Sequence, residues 1–215
     1  MRILIILLSI IFCHNSASAQ SKISLGLQLE PPNLDPTSGA AAAIDEVVYG
    51  NIFEGLVKID QNGNIKPGLA LYWEISSDRR SYVFHLAEGV TFHDGTLFHA
   101  NDVKYSFNRA RAVNSTNAKK YIFAPITNID VFDALTVMIS LDNARTDFLF
   151  NIGLGDAVIV SEKTASENAF NPVGTGPFMF KDWVRGDRIS LVRNDNYWGD
   201  APRLERVDFK IITDP

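Results

Sequence analysis

Residues 77–111 read SDRRSYVFHLAEGVTFHDGTLFHANDVKYSFNRAR, a stretch with a strand signal, two turn signals and a helix start. Apolar residues alternate with polar or smaller ones over 82–86, which is the period of a half-buried strand. Gly89 and Gly95 mark turns, because glycine adopts backbone angles that other residues resist. Apolar residues after Asn101 recur at helical spacing. The stretch therefore predicts strand, turn, turn and helix in that order.

Shorter signals of the same kind lie on both sides of this stretch. Upstream, the pattern predicts strands at 23–29 and 69–75, a helix over 44–56 and a hairpin turn at 62–63 (Asn-Gly). Downstream, it predicts a helix within 117–123, a strand pair at 126–131 and 136–141, and a short helix over 146–152 capped by Thr146. A strand at 158–160, a polar helical stretch from Ser161, and strands at 189–193 and 207–212 complete the predicted order. This mixture, with short strands outnumbering helices, predicts an α+β fold.

The N-terminus has the layout of a targeting segment. Arg2 precedes an apolar run over residues 3–12, and the small residues at 17–19 (Ala-Ser-Ala) fit a cleavage site. We therefore predict a cleavable signal peptide over residues 1–19 and a secreted protein. Phe12 directly before Cys13 disfavours lipid anchoring at that cysteine, because lipoprotein processing requires a small residue there.

The composition of the remaining chain excludes several classes of function. Removal of residues 1–19 removes the one cysteine, so neither a disulfide nor thiol chemistry is expected after cleavage. The formal charge is −5 for the whole sequence, and it becomes −6 without Arg2. A mildly acidic chain disfavours nucleic acid as a partner. No nucleophile elbow is present, so no catalytic residue is predicted. No phosphate-loop pattern is present either, and no cofactor is expected.

Several further motifs occur in a fixed order around residues 77–111. They are LDP at 34–36, NIFEGL at 51–56, PGLA at 67–70, GTGPF at 174–178 and RNDNYWG at 193–199. Together with the central stretch they resemble the bacterial extracellular solute-binding proteins of family 5. Members of that family are receptors of ABC importers for peptides, oligopeptides and nickel. The resemblance covers essentially all of residues 23–214.

The resemblance implies a fold and a domain organisation. The expected fold is the first lobe of a periplasmic-binding-protein-like structure (type II, cluster C-like), with a mixed sheet, flanking helices and a β-rich subdomain. Residues 20–45 and 170–215 are expected to form the lobe I sheet, and 46–169 an inserted subdomain. Family members are much longer and close two lobes around the ligand. The expectation is therefore a partial receptor without its second lobe.

The resemblance also implies a function and its partners. It predicts a substrate-binding component of an ABC importer for peptides or related small solutes, working with an inner-membrane permease. A separate chain supplying the second lobe is a further expected partner. Two alternatives stay open: a remnant that does not transport, or one half of a split receptor.

Candidate ligand-binding residues lie in two places. The loop Thr37-Ser38-Gly39-Ala40-Ala41 consists of small residues, so its backbone groups can approach a ligand closely, as in relatives that bind the peptide main chain. An ordinary loop leading into a helix is the other interpretation. Tyr105 and Tyr121 are further candidates for the wall of the site, with core packing as the alternative role.

Three histidines raise an alternative function, a secreted metal-dependent hydrolase. His85, His93 and His99 are separated by eight and six residues, which matches no compact zinc pattern. The resemblance assigns these positions to a structural hairpin, and no metal site is predicted. Asp94 is expected to cap a turn rather than to act as a catalytic carboxylate.

Overall fold

The computed structural model describes residues 21–212. The predicted signal peptide and Cys13 lie outside the described residues. The elements in chain order are β1 (Lys22–Leu27), α1 (Ala42–Val48), β2 (Val57–Ile59), β3 (Ile65–Pro67), β4 (Ala70–Ile75), β5 (Ser81–Leu86), α2 (Ala100–Arg111), β6 (Ile126–Asp133), β7 (Thr136–Leu141), α3 (Phe148–Asn151), β8 (Phe178–Val184), β9 (Arg188–Arg193) and β10 (Arg206–Ile211). The α+β prediction is confirmed. No helix among residues 21–212 has the length and apolar character needed to cross a membrane.

The first sheet joins the two ends of the described chain. Its strand order is β1-β10-β9-β8, with β1 parallel to β10 and the other pairs antiparallel, so the sheet is mixed. Ile189, Leu191, Val207 and Phe209 are buried on one face. Helix α1 packs against this core through its apolar residues, because these recur at helical spacing on one side.

The second sheet is formed by the middle of the chain. Its order is β4-β5-β7-β6, all antiparallel, and a separate two-stranded ladder joins β2 to β3. The burial of β5 alternates strictly, with Tyr82, Phe84 and Leu86 facing the core. Helix α2 covers that core, and Phe107 packs edge-on against Phe123 with ring centroids 5.2 Å apart. The order of elements predicted for residues 77–111 is confirmed.

Some local predictions are wrong. The helix expected within 117–123 is reduced to one 3-10 turn at Lys120–Ile122, and the stretch from Ser161 forms turns. Residues 158–160 are extended and buried but pair with no strand. Helix α3 begins after Asp147, without a side-chain cap from Thr146. In each of these short segments tertiary packing overrides the local pattern.

Two hydrophobic cores divide the described chain. One core joins Leu27–Phe53 to the first sheet, and the other encloses the second sheet, α2 and residues 56–159. The predicted limit at residue 46 falls inside α1, whose apolar residues pack with the first sheet. We propose a division near residues 54–56 and 158 instead, because a helix stays with the core that buries it.

The predicted turn at 174–178 lies where the two cores meet. The amide of Gly176 donates to the carbonyl of Ile52 at 2.9 Å, and the amide of Phe178 donates to the carbonyl of Asn51 at 2.9 Å. Three side chains donate to the half-buried carboxylate of Glu54: Thr175 at 2.9 Å, Tyr197 at 2.8 Å and Trp198 at 2.9 Å. Two of the motifs that carried the resemblance, at 51–56 and 174–178, are therefore one structural junction.

Candidate functional site

The best candidate site lies beside the carboxyl end of β1. Strand β1 ends at Leu27, and the proline-containing segment that follows carries the chain over this edge into α1. Strand β10 runs parallel to β1 and ends at the same edge. In open α/β sheets, crevices outside the carboxyl ends of strands are common ligand sites.

An ion pair anchors the loop that forms this site. Asp35 is buried, and its Oδ2 accepts a hydrogen bond from Arg109 Nη2 at 2.9 Å. Its Oδ1 accepts from the amide and the hydroxyl of Thr37, at 2.9 and 2.6 Å. Arg109 also donates to the Thr37 hydroxyl. Because Arg109 belongs to α2, this network ties the loop to the second core.

The other side of the loop is held by the segment after α2. The amide of Gly39 donates to the carbonyl of Thr116 at 3.1 Å, and the hydroxyls of Ser38 and Thr116 lie 3.0 Å apart. Gly39 has a φ of +110°, a conformation that favours glycine. Of the residues that follow, Ala40 and Ala42 are exposed and Ala41 is half-buried, so this part of the loop stays accessible.

A cleft of about 380 Å³ opens between this loop and the 3-10 turn at 120–122. Its lining residues are Pro36, Gly39, Ala40, Ala41, Ala42, Ile44, Asp45, Ala118, Lys119, Tyr121 and Asp156. A second opening of about 520 Å³ shares Ala41 and Ala42 with it and extends along residues 26–30. Both volumes fall within the range of small-molecule sites, about 300–1,000 Å³.

Three charged side chains meet on the cleft wall. Lys119 Nζ lies 2.7 Å from Asp156 Oδ2, and this hydrogen bond raises the pKa of Lys119. Burial raises the pKa of Asp45, the nearby carboxylate of Asp156 raises it further, and Lys119 opposes the increase. Two acids and one base in a partly desolvated cleft can pair with the charged groups of a zwitterionic solute.

The structure brings together some of the residues predicted for the site. Gly39, Ala40, Ala41 and Tyr121 line the cleft, and Tyr121 is 66% exposed. Thr37 and Ser38 hold the loop in place through their hydrogen bonds and do not line the cleft. Tyr105 is half-buried and packs against the core of the first sheet.

Sequence reasoning did not single out the charged residues of the cleft. Asp45 lies in α1, Lys119 precedes a 3-10 turn, and Asp156 lies in another, so no motif links them. One signal was available for Asp156, because a buried acid within an apolar stretch requires a partner. Its partner could not be identified without the fold.

The three histidines considered for a metal site lie in different places. His85 stacks on Tyr72, with ring centroids 4.2 Å apart, and contacts Glu74 at 3.1 Å. His93 contacts the 174–178 turn, and His99 precedes α2. Within residues 21–212 no three His, Cys, Asp or Glu side chains converge as metal ligands.

His93 instead supports the junction between the cores. A carbonyl can only accept, so Nε2 carries the proton and donates to the Gly176 carbonyl at 2.9 Å. The amide of Gly174 then donates to Nδ1 at 3.4 Å. Protonating Nδ1 would break this contact, and burial lowers the pKa of His93 below its ordinary value of 6.5.

This geometry predicts a pH-dependent stability. Because the folded-state pKa of His93 is depressed, the unfolded chain binds the proton first as pH falls below about 6.5. We expect the free energy of unfolding to fall between pH 7 and 5 more steeply in the native protein than in His93→Asn. The difference in slope is at most about 1.4 kcal/mol per pH unit, the limit for one proton.

Urea titrations of both proteins at several pH values measure this difference. The variant His85→Asn is the control, because His85 lies on the outer side of the second sheet. Parallel pH curves for the native protein and His93→Asn would contradict the assigned role.

Comparisons with known proteins show which family this chain belongs to. The sequence model of the bacterial extracellular solute-binding proteins, family 5 middle, matches residues 64–215, more than half of the chain. The glutathione-binding protein GsiB of Pectobacterium atrosepticum is 30% identical, over 85% of this chain and 36% of that protein. The probable D,D-dipeptide-binding periplasmic protein DdpA of Escherichia coli is also 30% identical, over 92% of this chain and 40% of that protein.

Solved structures show the same relationship. The binding protein AgaA of A. tumefaciens R10, solved with agropinic acid, superposes with a TM-score of 0.83 at 31% identity, over 89% of this chain and 40% of that one. The periplasmic binding protein DppA of Helicobacter pylori, solved with the peptide STSA, superposes with a TM-score of 0.79 at 30% identity, over 90% of this chain and 43% of that one.

The chain spans 36–40% of the length of the two curated relatives described above. Its two sheets and helices match about two fifths of the two solved binding proteins, so its fold is that of part of a periplasmic binding protein. The relatives are solute-binding proteins of ABC transporters rather than enzymes. The chain belongs to the bacterial extracellular solute-binding proteins of family 5.

Proposed function

We propose that this chain supplies one wall of the ligand site in the substrate-binding component of an ABC importer. The proposed ligands are peptides or related small zwitterionic solutes. The observation that carries the proposal is the cleft itself, which is lined by the small residues 39–42 and by Asp45, Lys119 and Asp156. Backbone groups suit a peptide main chain, and paired charges suit its termini.

The relatives support the ligand class without identifying the ligand. GsiB is named for glutathione and DppA was solved with a peptide, and both are solute-binding proteins. AgaA was solved with agropinic acid, so the same architecture accommodates other small solutes. Selectivity in such sites comes from a few polar groups in a desolvated pocket.

The proposed partners follow from the same assignment. An inner-membrane permease would receive the solute, in the periplasm, after the receptor closes around it. Closure is a hinge motion in which the ligand stabilises the closed state. The opposite wall would come from polypeptide outside residues 21–212 or from a separate chain. Without it, the cleft covers only one side of a ligand.

A peptide titration tests this proposal. We expect di- to tetrapeptides to shift the amide resonances of residues 39–42 and 118–121 in a ¹⁵N-labelled protein of residues 20–215. We also expect weak binding, with a Kd above about 1 mM, because one wall desolvates little of the ligand. Heteronuclear NMR locates the shifts, and calorimetry should detect no heat of tight binding.

Matched variants separate cleft binding from other effects. Ala40→Gln fills the cleft at an exposed position and should remove the shifts, whereas Ala124→Gln, exposed outside the cleft, should keep them. Shifts that avoid the cleft would refute the site. Tight, saturable binding would show that these residues suffice without a second wall. If the chain is a remnant that no longer binds solute, peptides should shift none of its amide resonances.

A further inference from the structure

A second concave site lies on the subdomain of the second sheet, away from the cleft. This groove, called here the arginine groove, has a volume of about 430 Å³. The residues of its lining that carry the argument are Ile65, Ile75, Leu149, Arg79 and Arg145. None of them lines the cleft, so the two sites can be tested independently.

The groove combines an apolar floor with two cations at its rim. Ile75 is 45% exposed, and Ile65 and Leu149 are half-buried beside it. Among residues 21–212, neither the guanidinium of Arg79 nor that of Arg145 forms a salt bridge or a hydrogen bond. Two unpaired guanidinium groups beside one apolar pocket complement an anion that carries an apolar body.

The nearby acids are engaged elsewhere. Asp78 Oδ1 accepts from the Ser76 hydroxyl at 2.6 Å and from the amide of Arg80 at 3.1 Å. Asp147 Oδ2 accepts from Asn151 Nδ2 at 3.0 Å. These contacts hold both carboxylates in local turns, and neither carboxylate forms an ion pair with Arg79 or Arg145.

The backbone of Arg79 is an independent observation. Its φ is +56°, and it is the one non-glycine residue with a positive φ among residues 21–212. The turn joins β4 to β5, and the amide of Arg79 donates to the carbonyl of Ser76 at 2.9 Å. Hairpins of this kind favour glycine at the left-handed position. An arginine at this position costs strain, and strained residues cluster at functional sites.

We propose that the arginine groove binds a small carboxylate with an apolar tail. The carboxylate would lie between the guanidinium groups of Arg79 and Arg145, which suit bidentate hydrogen bonds to its oxygens. The tail would cover Ile65, Ile75 and Leu149. The volume lies within the small-molecule range of about 300–1,000 Å³.

Octanoate is the probe that tests this site. We expect saturable amide shifts confined to residue 65 and to residues 75–82 and 145–149 of the ¹⁵N-labelled protein. Octylammonium carries the same tail with the opposite charge, and acetate carries the same head group without the tail; neither should reproduce these shifts. Arg145→Gln and Arg79→Gly should each weaken octanoate binding about tenfold or more.

The variants distinguish lost binding from lost folding. Arg79→Gly removes the backbone strain, so its Tm should rise by about 2–4 °C while octanoate binding falls. Arg80→Gln is the matched control, because Arg80 is exposed in the same turn but does not line the groove. The proposal would be overturned if octanoate did not bind, if its shifts lay outside the groove, or if octylammonium bound equally well. It would also be overturned if Arg80→Gln lost as much octanoate binding as Arg79→Gly.

Discussion

Replacing Arg109 with methionine is expected to destabilise the folded chain by about 3 kcal/mol, because it leaves a buried carboxylate without its cation. Asp35 is 3% exposed, and Arg109 is its one charged partner among residues 21–212. Methionine keeps much of the arginine's volume, so the loss reports the charge and the hydrogen bonds rather than a cavity. The loop at residues 37–41 should loosen at the same time.

Urea denaturation measures the lost stability, and amide hydrogen exchange measures the order of the loop. Lys104→Met is the control, because Lys104 is exposed on the same helix and forms no ion pair among the described residues. Adding Asp35→Asn to Arg109→Met should recover part of the loss, since the unpaired charge is then gone. A loss no larger than that of Lys104→Met would show that the pair does not anchor the cleft.

Gly174→Ala is expected to have an even larger effect, a loss of about 4 kcal/mol or more, because the added methyl group has nowhere to go. An added Cβ at residue 174 would overlap the carbonyl oxygen of Ile52 and come within 2.9 Å of the Phe53 ring. The opposing atom is backbone, which cannot rotate away as a side chain can. The junction at 174–178 would have to open, which separates the two cores.

The matched control isolates this clash from ordinary backbone strain. Gly186 has a φ of +72° with nothing within 4 Å of an added Cβ, so Gly186→Ala should cost only about 1 kcal/mol. Thermal and urea unfolding of both variants measure the difference. A Gly174→Ala protein as stable as Gly186→Ala would mean that the junction adjusts easily, and the assigned close packing would be wrong.

Elements with a strong local period were predictable from the sequence. Strand β5 was found because alternate side chains of one strand face opposite sides, and burial follows that alternation at Tyr82, Phe84 and Leu86. Helix α2 was found because Val103 and Phe107 lie one turn apart on a buried face. In both cases the local pattern and the tertiary packing favour the same structure.

Segments without such a period could not be assigned from local signals. Residues 158–160 have strand composition, yet they run through the interior as extended chain, where Ile159 donates its amide to the carbonyl of Glu54 at 2.9 Å. A strand requires a neighbour with a continuous ladder, and no local pattern supplies that information.

Only the loop of the candidate site was predictable from the sequence, and its charged wall was not. The small residues at 39–41 indicated a loop that a ligand could approach, and the structure places them on the cleft. The charged wall of Asp45, Lys119 and Asp156 comes from three distant segments. Their proximity depends on how α1, the chain after α2 and the 3-10 turn at 155–157 pack together.

The family, the α+β class and the order of the main elements could be read from the sequence alone, because turn residues and apolar periods act over a few neighbouring positions. The folded structure was needed to see that Arg109 anchors the loop at residues 37–41, that an added Cβ at Gly174 meets backbone, and which charges line the cleft. These features are contacts between residues 37 or more positions apart. Such contacts arise from the packing of whole elements, and the residue types at either end do not encode the distance between them.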